Sequence, residues 1–466
     1  MTSTLAAAAS ASQTPPSPHS ADAPLPPPVA SVGEERPFSR EFPALDAAIA
    51  SLSTRLRPTT AEREKERELL HEPVRELVDA GLTALRVPVE HGGLGGSLLD
   101  LTERLIALAS VDPNLAHVFR GHIGFVELLR LSPESEQSAL WFKRAASALV
   151  GNAQSERIAT SSLESTLTRR PEGLVVNGSK FYTTGSIYSR WILLSADLDG
   201  EYTTAVVDAQ QPGVRIVDDW DGFGQPLTGS GSSFFTDAVV DPDGIYPGFG
   251  GEEGTAEFLA GVFQTVLLAV LAGIGDAALR DAVAFVRPRR RLFGYAAEAL
   301  PREDVTVQGV VGGLSASADA ARRLVLSAAA ELDAAQARGL ALDPAARTAV
   351  FEAAARDVFR VQQVVPRLVL DAASELFEVG GASAVSAPRA LDRHWRNART
   401  VASHNPLLQR RRALGEWELN GTHTTWGRTH ASASAAEASP AAPAGPAARD
   451  AQATTTPSTP SEGHQR

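Results

Sequence analysis

The sequence contains no cysteine. That excludes disulfides, thiolate-ligated zinc, iron–sulfur clusters and cysteine nucleophiles together. It also lacks an excess of positive charge, with 43 Lys and Arg against 55 Asp and Glu and a net charge of -12. Nucleic acid and anionic membrane are recognised through clustered positive charge, so neither is an expected partner. A bilayer span needs a run of about 18 or more uncharged apolar residues. The longest apolar run, 263–274, carries Gln264 and Thr265 and reads as a core helix. The start, 1–36, has no basic segment followed by an apolar core, so it is not a secretory signal, and a cytoplasmic location is expected. The histidines form no ligand-spaced set with carboxylates, and no metal is expected. Aromatic residues are scarce at 6%, and Ala dominates the 43% hydrophobic fraction, which favours helix because Ala loses no side-chain entropy there.

A chain of 466 residues exceeds what one hydrophobic core usually supports, so subdomains are expected. Residues 1–36 and 429–466 are Ala/Pro/Ser/Thr tracts with too few large apolar groups to offset ordering entropy, and read as disordered tails. From 37 to 148 the spacing is helical, as in Leu69, Leu70, Val74, Leu77 and Val78, with Asp112-Pro113 as a helix start. From 149 to 248 short β-rich segments follow: 191–195, 203–207, 214–217 and 232–240. Here Leu174-Val175-Val176, Asn177-Gly178 and Lys180-Phe181-Tyr182 predict a hairpin with an Asn-Gly turn. From 249 to 428 long helices return, at 258–286, 305–337 and 344–379.

Five local sequences fit this order. Val176-Asn177-Gly178-Ser179-Lys180-Phe181-Tyr182-Thr183-Thr184-Gly185 resembles the strand and turn NG-x-K-x-W-I-T-N-G of acyl-CoA dehydrogenases. Gly151-Asn152-Ala153-Gln154-Ser155-Glu156 sits where that family has A-M-T-E-P. Arg290-Arg291-Leu292-Phe293-Gly294 resembles R-x-x-F-G, Gln308 opens the next helix, and Phe377-Glu378-Val379-Gly380-Gly381-Ala382 resembles x-F-G-G-x-G. The resemblance implies a mainly α, mixed fold: an N-terminal helical domain, a middle β-barrel or sandwich, and a C-terminal four-helix bundle. It implies a flavin contacted by Ser155, Thr183 and Thr184. It also implies phosphates gripped across a subunit boundary by Arg290, Gln308, Gly380 and Gly381, hence a homotetramer. Arg can hold phosphate bidentately and glycine permits close backbone approach.

A dehydrogenase of this family needs a carboxylate base to take the α-proton. In Arg396-Asn397-Ala398-Arg399-Thr400-Val401-Ala402-Ser403-His404-Asn405-Pro406 the position of that Glu falls on Asn405, an amide. The other family location lies on the first long C-terminal helix. Between 258 and 297 there is no Glu, and Asp276 and Asp281 lie too far along. The segment instead resembles R-N-A-R-T-x-x-x-H-D-P of the reduced-flavin monooxygenases, typified by dibenzothiophene and dimethylsulfone monooxygenases, with Asn405 where Asp is common.

That branch implies reduced FMN supplied by a separate flavin reductase, addition of O2 to give a flavin C4a-hydroperoxide, and oxygenation of a soft heteroatom, sulfur first. FAD remains compatible with Gly380, Gly381 and Gln308. His404 is expected to donate a hydrogen bond to the peroxide and exchange its proton near neutral pH. Asn152 and Thr184 are expected to hydrogen-bond the flavin or its peroxide. His122 is a second catalytic candidate, flanked by Gly121 and Gly124, and Phe119, Tyr182 and Trp220 are expected around a small-molecule substrate. His117 and His394 read as structural. Three alternatives stay open: an N-hydroxylase of an amine or amino sugar, an acyl-thioester enzyme using Glu257 or Glu298 as base, and a non-enzymatic scaffold.

Overall fold

The computed structural model describes residues 37–157, 163–246, 254–290 and 300–422. Seven helices come first: α1 (Pro43–Leu56), α2 (Thr60–Glu66), α3 (His71–Asp79), α4 (Leu98–Val111), α5 (Pro113–Val118), α6 (Arg120–Leu131) and α7 (Glu136–Ser147). Their starts follow from capping chemistry. Ser97 and Asp100 form a reciprocal capping box at α4, and the Asp112 carboxylate accepts from Asn114 N–H to open α5 at Pro113.

Seven strands follow: β1 (Val150–Ala153), β2 (Thr166–Arg170), β3 (Gly173–Lys180), β4 (Trp191–Leu198), β5 (Glu201–Asp208), β6 (Val214–Val217) and β7 (Ser232–Tyr246). β4, β2, β3, β7 and β5 are joined in that order, and β5 pairs again with β4, so the sheet closes on itself; β1 runs parallel to β4 and β6 adds to β7. Its interior is small and apolar, with Ala153, Ile192, Leu194, Ala205 and Phe235 buried. The expected Asn-Gly turn is absent. Asn177 and Gly178 lie inside β3, where the register against β7 shifts between Val176 and Gly178. Gly178 takes φ +145° and a Cβ there would meet Ser165 Oγ at 2.3 Å, so the glycine serves a bulge. The hairpin turn lies instead between β2 and β3, which pair through Arg170 and Gly173.

The last part comprises α8 (Thr255–Val286), α9 (Val305–Gly339), α10 (Pro344–Glu375), α11 (Asp392–Ser403) and α12 (Leu407–Asn420). α8, α9 and α10 pack on one another, α11 closes against α8 and α10 as the fourth member of the bundle, and α12 lies on α10. α8 is long and apolar enough to cross a bilayer, but its sides are covered by protein, including α4 and α6. A buried ion pair ties the first helices to the bundle: Arg86 donates to Glu127 at 2.6 Å and to Gln336 at 2.9 Å, and Gln336 donates back to Glu127 at 2.8 Å. Burial alone would raise the Glu127 carboxyl, but the Arg86 guanidinium holds it below its ordinary range.

Candidate active site

A cavity of about 610 Å³ opens where the three parts meet, within the usual size for small-molecule sites. The β part supplies Asn152 and Ser155 at the end of β1, Tyr182 and Thr184 after β3, and Trp220, Gln225, Thr228 and Ser230 from the connection between β6 and β7. Helices supply His117 from α5, Arg120 from α6, Phe263 from α8, and Thr400, Ser403 and His404 at the end of α11. The approach of α6 to the barrel depends on Gly121, where a Cβ would lie 2.6 Å from Asn152 Cβ. Two non-glycine wall residues hold left-handed backbone, Tyr182 at φ +62° and Gln225 at φ +56°, the kind of strain that surrounding contacts must maintain.

The polar groups have a definite direction. Thr228 Oγ1 donates to the Gln225 carbonyl at 3.0 Å, which can only accept. Ser230 must therefore donate to Thr228, and Thr184 to Ser230, each at 2.7 Å. Thr184 Oγ1 is left as an acceptor on the cavity wall. Gln225 Oε1 faces His117 Nδ1 at 2.9 Å, so Nδ1 carries the proton and Nε2 a lone pair; His117 Nε2 and Gln225 Nε2 are buried without partners among the described residues. Gln225 is itself fixed by a buried network. Its N–H donates to Asn397 Oδ1 at 2.6 Å, and the Asn397 amide donates to Glu64, which also accepts from Asn114. Burial, helped by Asp112, holds the Glu64 carboxyl above its ordinary value.

His117 is neutral at pH 7. Burial pushes His117 down to about 4, with Arg120 acting in the same direction. His404 can be reached through the cavity, so solvent screens part of the effect. The protein packed around its ring, then Arg120 and His117, hold it well below the usual imidazole value. Its ring centroid lies 5.8 Å from that of His117, and Nδ1 stands 3.4 Å from Asn405 Oδ1.

Of the residues singled out in the sequence, Asn152, Ser155, Tyr182, Thr184, Trp220 and His404 share the cavity. The Trp220 ring packs edge-on to Tyr182 at 5.8 Å while its N–H donates to the Gly224 carbonyl at 2.9 Å. Three others do not reach it. His122 donates from Nε2 to the Thr83 carbonyl at 3.0 Å and accepts Val150 N–H at Nδ1, so both nitrogens serve the core. It is two residues from Arg120 on α6, about 200° round the helix. Phe119 is buried in the main core, and Thr183 donates to the Gly231 carbonyl and accepts from Ser233. His117 corrects in the opposite direction, from structural to cavity wall. Arg120 and Gln225 also escaped notice, because nothing local in the sequence tells which face of a short helix or loop a ligand would see. His394 is structural, bound to Asp281 at 2.9 Å.

Arg290, Gln308, Gly380 and Gly381 do not line the cavity. They gather at the far end of the bundle: Arg290 is exposed after α8, Gln308 donates to the Arg302 carbonyl, and Gly380 abuts Phe285. From Phe263 to Val286 alone α8 runs about 35 Å. Residues 291–299, which include Phe293, Gly294 and Glu298, lie outside the described residues. At the position of the family base, Asn405 donates its amide to Gln264 Oε1 at 2.8 Å, and no Asp or Glu is among the described residues lining the cavity.

Residues 44–148 match the family "Acyl-CoA dehydrogenase, N-terminal domain", and residues 265–408 match "Acyl-CoA dehydrogenase, C-terminal domain". The probable FMNH2-dependent monooxygenase SfnC of Pseudomonas putida is 29% identical over 358 residues, 74% of this chain and 87% of that protein. The dibenzothiophene monooxygenase of Mycolicibacterium goodii is 28% identical over 401 residues, 81% and 94% of the two chains. The crystal structure of TdsC from Paenibacillus sp. A11-2 with FMN and indole superposes with a TM-score of 0.76 at 28% identity, covering 84% of this chain and all of the other. Together with the three-part fold, these matches show that the chain belongs to the acyl-CoA dehydrogenase superfamily.

Proposed function

We propose that this chain is a two-component flavin monooxygenase that uses reduced FMN, delivered by a separate reductase, and O2 to place one oxygen atom on the sulfur of a small organic substrate. One observation carries the reading. The cavity wall, among the described residues, has no carboxylate to abstract an α-proton, and the position of that base is an amide tied to Gln264. The likeness to reduced-flavin monooxygenases over most of the chain supports it.

The residues present fit a flavin. The unpartnered Nε2 of Gln225, the lone pair of Thr184 and the amide of Asn152 offer hydrogen bonds of both senses to a polar ring edge. The four residues at the far end of α8 are too distant to serve this cavity, and would grip the phosphate of a neighbour's cofactor in a homotetramer. Reduced FMN supplies the two electrons that activate O2, one oxygen atom going to substrate and the other leaving as water. With the flavin bound, Thr184 would accept a ring N–H, and His404 would have to carry its single proton on Nε2, giving up the long 3.4 Å contact of Nδ1 with Asn405 Oδ1, to offer it to the reacting side; Trp220 and Phe263 would keep water out.

The test is oxygen consumption with chemically reduced FMN, with hydrogen peroxide and oxygenated product measured separately. His404→Ala is expected to release hydrogen peroxide and lose product, since a single well-placed donor is commonly worth about 10²–10³ in rate. Anaerobic bleaching of bound flavin by an acyl-CoA, without added reductant, would overturn the reading.

A further inference from the structure

Part of the cavity's polarity is set by a group that does not reach it. Glu64 lies on α2, 6% exposed, and is not one of the residues lining the cavity. Its Oε1 accepts from the side-chain amides of two asparagines, Asn397 of α11 at 2.5 Å and Asn114 of α5 at 3.1 Å. Each asparagine turns its own Oδ1 to a backbone N–H of the connection between β6 and β7. Asn397 accepts from Gln225 at 2.6 Å and Asn114 from Leu227 at 3.0 Å. The Asn114 amide has a second acceptor in Asp112 at 2.9 Å, so it is Asn397 whose orientation rests on Glu64. A reversed Asn397 amide would set its NH2 against the Gln225 N–H, donor against donor.

Two polar arrangements on the wall start from Gln225. Its carbonyl begins the hydroxyl chain that leaves Thr184 as an acceptor, and its Oε1 sets the tautomer of His117. Its backbone, at φ +56°, keeps that conformation only while its surroundings enforce it. Glu64 Oε2 is buried without a partner among the described residues, a cost that packing alone gives no reason to keep. We propose that Glu64 is a positioning residue for the cavity: by fixing the Asn397 amide it holds the Gln225 backbone, and through Gln225 it orients Thr184 and His117 for a bound ligand. The effect on flavin rests on the monooxygenase reading above; the effect on the loop does not.

Three variants separate the roles. Glu64→Met keeps the volume and removes the acceptor, Glu64→Gln keeps an accepting oxygen, and Leu45→Ala weakens the buried face of α1. Hydrogen exchange of peptides covering 218–231 is measured on the full chain without flavin. Oxidised FMN is titrated by fluorescence quenching, and melting is followed in parallel. In Glu64→Met the slowest amides of 218–231 are expected to exchange about tenfold faster, and the FMN Kd to weaken about tenfold. Glu64→Gln is expected to stay within about threefold of wild type in both. Leu45→Ala, compared at equal loss of melting temperature, is expected to leave both unchanged. Adding Glu64→Met to Gln225→Ala should weaken FMN less than about twofold further, because the two act in one chain. If Glu64→Met does not fold, Glu64→Asp, whose oxygen is withdrawn by one methylene, takes its place. Unchanged loop exchange, FMN binding unaltered where wild type binds it, losses that multiply in the double variant, a Gln variant no better than Met, or a Leu45→Ala variant that matches Glu64→Met would each overturn the assignment. Faster loop exchange in Glu64→Met, with no FMN bound even by wild type, would leave the positioning standing and remove the monooxygenase reading.

Discussion

Changing the pH from 8 to 5.5 is expected to leave coupled oxygenation without a histidine limb. His117 is held down at about 4 by burial, so at pH 7 its imidazolium lies three pH units uphill (7 − 4). At about 1.36 kcal/mol per unit, that is about 4 kcal/mol, or about one protonated ring in a thousand. His404 is more exposed than His117, and the protein packed against its ring, then Arg120, displaces it in the same direction. A step that drew its proton from either imidazolium would accelerate about tenfold per unit of acidification across this range. A step that uses the N–H of a neutral ring would not. The assay is product formed per reduced FMN under single-turnover conditions, in wild type, His117→Gln and His404→Gln. A limb between pH 6 and 7 that either glutamine variant abolishes would refute the neutral-imidazole reasoning.

His122, pushed to about 4 against an ordinary 6.5, makes the fold acid-sensitive. The unfolded chain binds a proton that the folded chain refuses, so the contribution is whole above pH 6.5 and is eroded as pH falls towards 4. From pH 7 to 5 the loss is about 2 kcal/mol for one such group. Urea titrations should show a shallower pH dependence in His122→Gln, and equal slopes would contradict the buried neutral ring. Gly121→Ala should cost about 1–3 kcal/mol, because the new methyl falls on the Asn152 Cβ and the β1 backbone moves with it. It should also raise hydrogen peroxide release, whereas unchanged melting and coupling would show that α6 and β1 have slack.

Periodicity revealed the order helical, β, helical, because the apolar repeat changes from 3.6 to 2 and back over long stretches. It did not locate the β-borne side of the cavity: Asn152, Ser155, Tyr182 and Thr184 were singled out by their place in the family's motifs, and the structure brings all four to the cavity wall. It misjudged Asn177-Gly178 because a bulge and a turn ask the same residue for the same positive φ, and only strand pairing tells them apart. The helical wall was harder. α5 ends at Val118 and α6 begins at Arg120, so the break at Phe119 resets the face each residue presents. Flanking glycines drew attention to His122, yet they reflect close packing of α6 on β1, not an opening for a ligand. Arg120 carries no local sign that it faces the cavity; that needs the whole fold.

The same electrostatics accounts for Asn405. The cavity wall joins one guanidinium to two imidazoles, and the amide at 405 keeps that balance by presenting Oδ1 to His404 without a charge. An aspartate there would place a carboxylate beside Nδ1, now 3.4 Å from Oδ1, and an opposite charge at such range commonly raises proton affinity about tenfold to a thousandfold. Asn405→Asp is therefore expected to bring a histidine limb into the pH profile, moving up from below the working range. It would lose the donor to Gln264 as well, at about 1–3 kcal/mol for an unsatisfied buried amide oxygen, so melting is measured alongside. A profile that stays flat in a folded Asn405→Asp variant would mean that the charge is screened by water entering the cavity. In that case the low proton affinity of His404 would owe little to its neighbours.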